Sequence, residues 1–169
     1  MKRGLSLTIL LLVAAIAVTA FLNRQDIADR RELQADAAFL ILREDQTIKL
    51  DMEMLQELPS EEFVVTLRSS SAADRDHTYR GVELRVLLRE QGLNLESTQT
   101  VTVKAVDGYA VVLSGEEALL EENVYLTYLR DGKPLGTKAD GGSGPFQLVI
   151  RRDTFAQRWC KFVSEIVIK

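Results

Sequence analysis

Few residues in this chain could carry covalent chemistry. Its 169 residues include one cysteine, Cys160, and one histidine, His77. A single cysteine excludes an internal disulfide and every multi-cysteine zinc or iron–sulfur site, and a single histidine leaves no imidazole cluster for a metal. A nucleophilic serine needs a base within hydrogen-bond reach. The run Ser69-Ser70-Ser71 has only His77 to offer, within the same segment, and no G-x-S-x-G elbow occurs. No catalytic residue and no metal ligand is therefore assigned. The serine run reads either as the polar floor of a binding pocket or as an ordinary solvated loop.

Non-covalent recognition has better material. Gly136 to Gly144 (GTKADGGSG) holds four glycines in nine residues, with Lys138 and Asp140 among them. Such a segment lets backbone amides approach a ligand closely, and equally it serves as a plain flexible loop. Trp159, the only tryptophan, offers a large π face on which a flat heterocycle could stack, or it fills the core ahead of the last strand. Tyr109 follows an Asp-Gly turn and can face either way. Cys160 reads as a small buried hydrophobe and His77 as exposed and without a role.

The elements that position these residues are mostly strands. Thr100 to Ala105 alternates polar and apolar residues, Asp107-Gly108 supplies the turn, and Tyr109 to Leu113 returns as the second arm of a hairpin. Further strands are expected at Ala38–Leu42, Thr47–Leu50, Glu62–Leu67, Val124–Leu129, Phe146–Ile150 and Ser164–Ile168. Short helices follow Asp51, stopped by Pro59; span Val82 to Gln91 with Gly92 closing; and open at the capping box Ser114-Gly115-Glu116-Glu117. Arg68 to Thr78 reads as a loop. The connections are too short for repeated βαβ crossovers, so the fold class is α+β, a mainly antiparallel sheet or β-roll with short peripheral helices.

Lys2-Arg3 precede Leu5 to Leu22, an 18-residue run without charge. That pattern fits a secretory signal, with Val18-Thr19-Ala20 as small residues for cleavage, or a retained anchor. Residues 1–22 are thus a signal peptide or membrane anchor, 23–37 a polar linker, and 38–169 the globular domain, placed outside the cytoplasm. The formal charge is −4, or −6 once Lys2 and Arg3 are removed. An acidic chain without a Lys/Arg-rich run gives no reason to expect nucleic acid.

Taken in order, several landmarks resemble one family. They are Tyr79-Arg80-Gly81-Val82-Glu83-Leu84 with Leu87-Leu88 and Gly92; Asp107-Gly108-Tyr109; Asp131-Gly132-Lys133-Pro134-Leu135; Gly144-Pro145 with Leu148-Val149; and Trp159 to Lys161 with Ile166. This order and spacing, over roughly Ala38 to Lys169, is similar to the molybdopterin-binding domain of sulfite-oxidase-type oxidoreductases (the SUOX fold).

The resemblance implies a molybdenum-ligating cysteine in a context like T-L-x-C, where a soft thiolate suits the metal. Here Thr66-Leu67-Arg68 is followed by Ser69. It also implies an H-G-x-P-x-R pattern near the glycine loop. Gly141-Gly142-Ser143 lacks the histidine, and Gln147 stands at the arginine position. The expectation is a small extracytoplasmic binding protein without catalysis, taking a pterin (molybdopterin or a reduced pterin) but no molybdenum. Its implied contacts are Arg68, Ser69, Tyr109, Lys138 and Trp159. Its implied partner is the outer domain of a membrane signalling protein. The alternatives are a molybdenum-cofactor oxidoreductase and an interaction module with no small ligand.

Overall fold

A computed structural model describes residues 12–19, 28–69 and 72–169, with 68, 69, 72 and 73 described by their backbone. Ser70 and Ser71, and most of the Leu5–Leu22 run, lie outside the described residues. Residues 12–19 are helical and exposed. Among the described residues no helix is long and apolar enough to cross a membrane.

Two five-stranded sheets share one buried core. The first runs β2-β1-β10-β5-β6: β1 is Ala38–Arg43, β2 Gln46–Asp51, β5 Thr100–Ala105, β6 Ala110–Ser114 and β10 Val163–Ile168. The β5–β6 hairpin forms as its sequence predicts, with Val101, Val103, Ala105, Val111 and Leu113 buried and the intervening residues turned outward. All pairs in this sheet are antiparallel except β1 with β10, which carries the C-terminal strand between the first strand and the hairpin.

The second sheet runs β3-β4-β7-β8, with β9 also on β7: β3 is Glu61–Ser69, β4 Ala72–Glu83, β7 Val124–Arg130, β8 Lys133–Pro134 and β9 Gln147–Ile150. Its central strand β7 is buried from Val124 through Tyr128, because it is covered on both faces. One cover is the segment after β9, where the Arg151 guanidinium lies 5.8 Å from the Tyr125 ring of β7 and 5.0 Å from the Phe63 ring of β3, and Trp159 meets Tyr79 of β4 edge-on at 5.9 Å. Gly81 makes the β4–β7 contact possible. A Cβ there would overlap the backbone of Leu126 and Thr127.

Three short α-helices lie within residues 38–169: α1 is Met52–Glu57, α2 Leu84–Glu90 and α3 Gly115–Leu119. Asp51 caps α1 by accepting from Met54 N at 2.9 Å, and Ser114 caps α3 by accepting from Glu117 N at 3.1 Å, both as expected from the sequence. Helix α2 starts two residues later than its apolar spacing suggests. Val82 and Glu83 are held in β4 by pairing with Leu126 and Tyr125.

Two readings need correction. Arg68–Thr78 is not a loop: β4 begins at Ala72 and pairs with β3 through Ser69↔Ala72, Leu67↔Arg75 and Val65↔His77. Val64 and Asp74 to Asp76 are exposed, and β4 shows no hydrophobic alternation before Tyr79, while Val65 and Leu67 of β3 pack against the core. Second, residues 28–35 of the supposed linker form a helix docked on the domain. Arg30 pairs with Glu165 at 3.1 Å, and Gln34 Nε2 donates to the Gly144 carbonyl at 3.3 Å. We call it the linker helix.

Candidate functional site

The edge of the second sheet is interrupted. β8 pairs with β7 at Leu129 and Arg130, and β9 pairs with the same strand from Val124 to Thr127. Between them residues 135–146 leave the sheet, so the edge opens where Tyr128 stands. The excursion is the glycine-rich segment predicted from the sequence, and it is self-bonded rather than slack. Ser143 N donates to Leu135 O at 3.0 Å, Gly144 N to Gly136 O at 2.9 Å and Gly142 N to Thr137 O at 2.7 Å. Gly142 lies so close to Gly136 that any Cβ would overlap the Gly136 carbonyl.

This loop forms one wall of a groove of about 620 Å³, within the ~300–1,000 Å³ usual for small-molecule sites. Pro134 to Ala139, Gly144 and Pro145 line it on the loop side, Tyr128 at the sheet, Met52 at the start of α1, and Arg31, Gln34, Ala35 and Ala37 from the linker helix and its end. The wall is mostly apolar. Its charged groups are Arg31 and Lys138, and no carboxylate lines it.

Of the five residues expected to line one pocket, Lys138 lines the groove. Trp159 is a core residue: it is 5 % exposed, its indole N–H donates to Ile150 O at 3.1 Å, and its ring meets Tyr79. Burial of this kind leaves no free face for a ligand, which corrects the platform expectation for Trp159. Tyr109 is 44 % exposed at the hairpin tip, and its hydroxyl donates to Gln157 O at 2.7 Å. The backbone of Arg68 and Ser69 ends β3, and Ser69 pairs with Ala72. Reading the sequence missed Arg31 and Gln34. They lie in a polar stretch whose only structural signal would have been a short helix ending against the domain.

A second polar cluster sits at the base of the β3–β4 arm. His77 Nδ1 and Asp131 Oδ2 are 2.6 Å apart, and Asp131 Oδ1 accepts from Thr78 N at 2.9 Å. The bond to His77, with that from Thr78, holds the Asp131 carboxyl below the usual carboxylate range. His77 is thus half-buried and partnered, not a free surface residue. Nearby, burial raises the Tyr79 phenol above its ordinary value, partly offset by Arg130.

A family model described as the oxidoreductase molybdopterin binding domain matches residues 40–169. The chain belongs to that family. Its fold is the sulfite-oxidase-type molybdopterin-binding fold. Among solved structures, the sulfane dehydrogenase SoxCD from Paracoccus pantotrophus matches with a TM-score of 0.63 and 19% identity, over 79% of this chain and 38% of that chain. At that identity the likeness is one of fold, and this chain spans well under half of its neighbour's length. No curated protein matches.

Molybdopterin is therefore the group the family implies, and this chain's residues can be tested against it. The position that the resemblance equates with the metal's cysteine is a serine, Ser69, which offers no thiolate. The only thiol, Cys160, is fully buried, and burial pushes it up to about 12, so it stays protonated at neutral pH. Among the described residues no group of three or more His, Cys, Asp or Glu could hold a metal. The grip on the cofactor's phosphate fares no better. Gln147 is buried with its Oε1 unpartnered, and Ser143 is buried with its Oγ unpartnered. An amide and a hydroxyl here cannot supply the cationic charge of the family's arginine and histidine. The complete metal-bearing cofactor does not fit the residues this chain presents.

Proposed function

We propose that this family member is a non-catalytic binding protein for a pterin-type ligand, working outside the cytoplasm. The observation that carries it is the pairing of a lost metal thiolate, Ser69 with Cys160 protonated in the core, with a groove still standing beside the glycine loop. A planar heterocycle suits walls made of Tyr128, Pro134, Leu135 and Pro145. Of the contacts expected from the sequence, Lys138 is the one proposed for this groove; Arg68, Ser69 and Tyr109 are not among the described residues that line it. The uncharged N-terminal run supports secretion or anchoring. An outer domain of a membrane signalling protein is the partner in this reading, by analogy with the fold family.

The test is elemental and mass-spectrometric analysis of the full chain purified from cells that make the molybdenum cofactor. A co-purified pterin without molybdenum supports the reading. Stoichiometric molybdenum overturns it, because the site would then hold the metal through a ligand other than thiolate.

A further inference from the structure

The groove's charge is at odds with that of the protein around it. The chain carries a formal −4, yet the groove is lined by two cations and no carboxylate. The cations come from different elements, Arg31 from the linker helix and Lys138 from the glycine loop. Both side chains are exposed and neither forms an ion pair among the described residues. Arg30 and Lys104, by contrast, both pair with Glu165, at 3.1 and 2.9 Å. Two unneutralised cations flanking an apolar slot favour an occupant with a flat apolar body and a negative group.

We infer that this groove binds a planar anionic small molecule, a carboxylate- or sulfonate-bearing aromatic ring, clamped between Arg31 and Lys138. Such a ligand does something the family-matched region cannot do alone. The match begins at residue 40, whereas Arg31 and Gln34 precede it. Binding would therefore add a third tie between the linker helix and the domain, beside Arg30–Glu165 and Gln34–Gly144. Occupancy would be felt in the segment leading back to the N-terminal apolar run. The inference deepens the pterin reading and rests on it only for the choice of ring.

The test uses the full chain and three probes, followed by fluorescence: pterin-6-carboxylate, the neutral 6-methylpterin, and naphthalene-1-sulfonate. Arg31→Gln and Lys138→Gln should each weaken the two anions about 2–5-fold, as expected for one exposed charge pair. Added salt should weaken the anions, and 6-methylpterin should be indifferent to both variants. Bound anion should also slow amide exchange across residues 28–37. Equal binding of pterin-6-carboxylate by wild type and both variants overturns the groove assignment and leaves the pterin reading standing. Variant-sensitive binding of naphthalene-1-sulfonate with no binding of either pterin does the reverse. Binding of neither anion, or an Arg31-dependent dimer of the chain without probe, overturns the inference.

Discussion

Replacing Trp159 by alanine separates a core residue from a binding platform. The indole is 5 % exposed, sits edge-on to Tyr79 at 5.9 Å and donates to Ile150 O at 3.1 Å. Truncating a buried tryptophan costs about 3–5 kcal/mol through lost transfer energy and the cavity left behind. The orphaned Ile150 carbonyl adds roughly 1 kcal/mol or more. Against a total stability of about 5–15 kcal/mol for a domain of this kind, that is a third or more. With a urea m-value of about 2 kcal/mol/M, the unfolding midpoint should fall by about 2–3 M. Far-UV circular dichroism is the proper probe, since the variant removes the only tryptophan. Trp159→Phe keeps most of the volume and loses the N–H, so its fall should be smaller. A change under about 1 kcal/mol in Trp159→Ala, with weakened ligand binding, would refute the core assignment and restore the stacking role.

Three further outcomes follow from the geometry. Gly142→Ala should break the Leu135–Ser143 and Gly136–Gly144 bonds by forcing the loop off Gly136, abolishing groove binding while the unfolding midpoint moves by less than in Trp159→Ala, as chemical denaturation alongside probe titration would show. Cys160, protonated because burial lifts it to about 12, should resist a maleimide at pH 8 in the native protein and react only in denaturant, with mass spectrometry as the readout. Asp131 has its carboxyl held below the ordinary value, so it stabilises the fold above the unfolded carboxylate pKa and loses that contribution as pH falls through the lower folded value. Acid should therefore loosen the base of the β3–β4 arm first, seen as a fall in the protection of the Thr78 amide relative to its intrinsic exchange rate at each pH, and Asp131→Asn should remove that pH dependence.

Elements with a local signal were legible in the chain itself. Alternation marked β5 and β6, Asp107-Gly108 marked their turn, and Asp51 and Ser114 marked two helix starts, because each depends on residues a few positions apart. The ordered landmarks from Tyr79 to Ile166 carried the family. The start of β4 was not legible, since Asp74 to Thr78 offer no apolar alternation and their place is set by pairing with β3.

What the chain alone determined was chemistry: one thiol, one imidazole, no metal cluster, and a glycine-rich segment able to fold tightly. What only the tertiary structure decided was placement. It sent Trp159 into the core, tied Tyr109 to Gln157, and brought Arg31 of a polar stretch into the same groove as Lys138, more than a hundred residues away. Residue type sets what a group can do, but contacts at that separation depend on how two sheets and a returning loop pack. No local pattern encodes that.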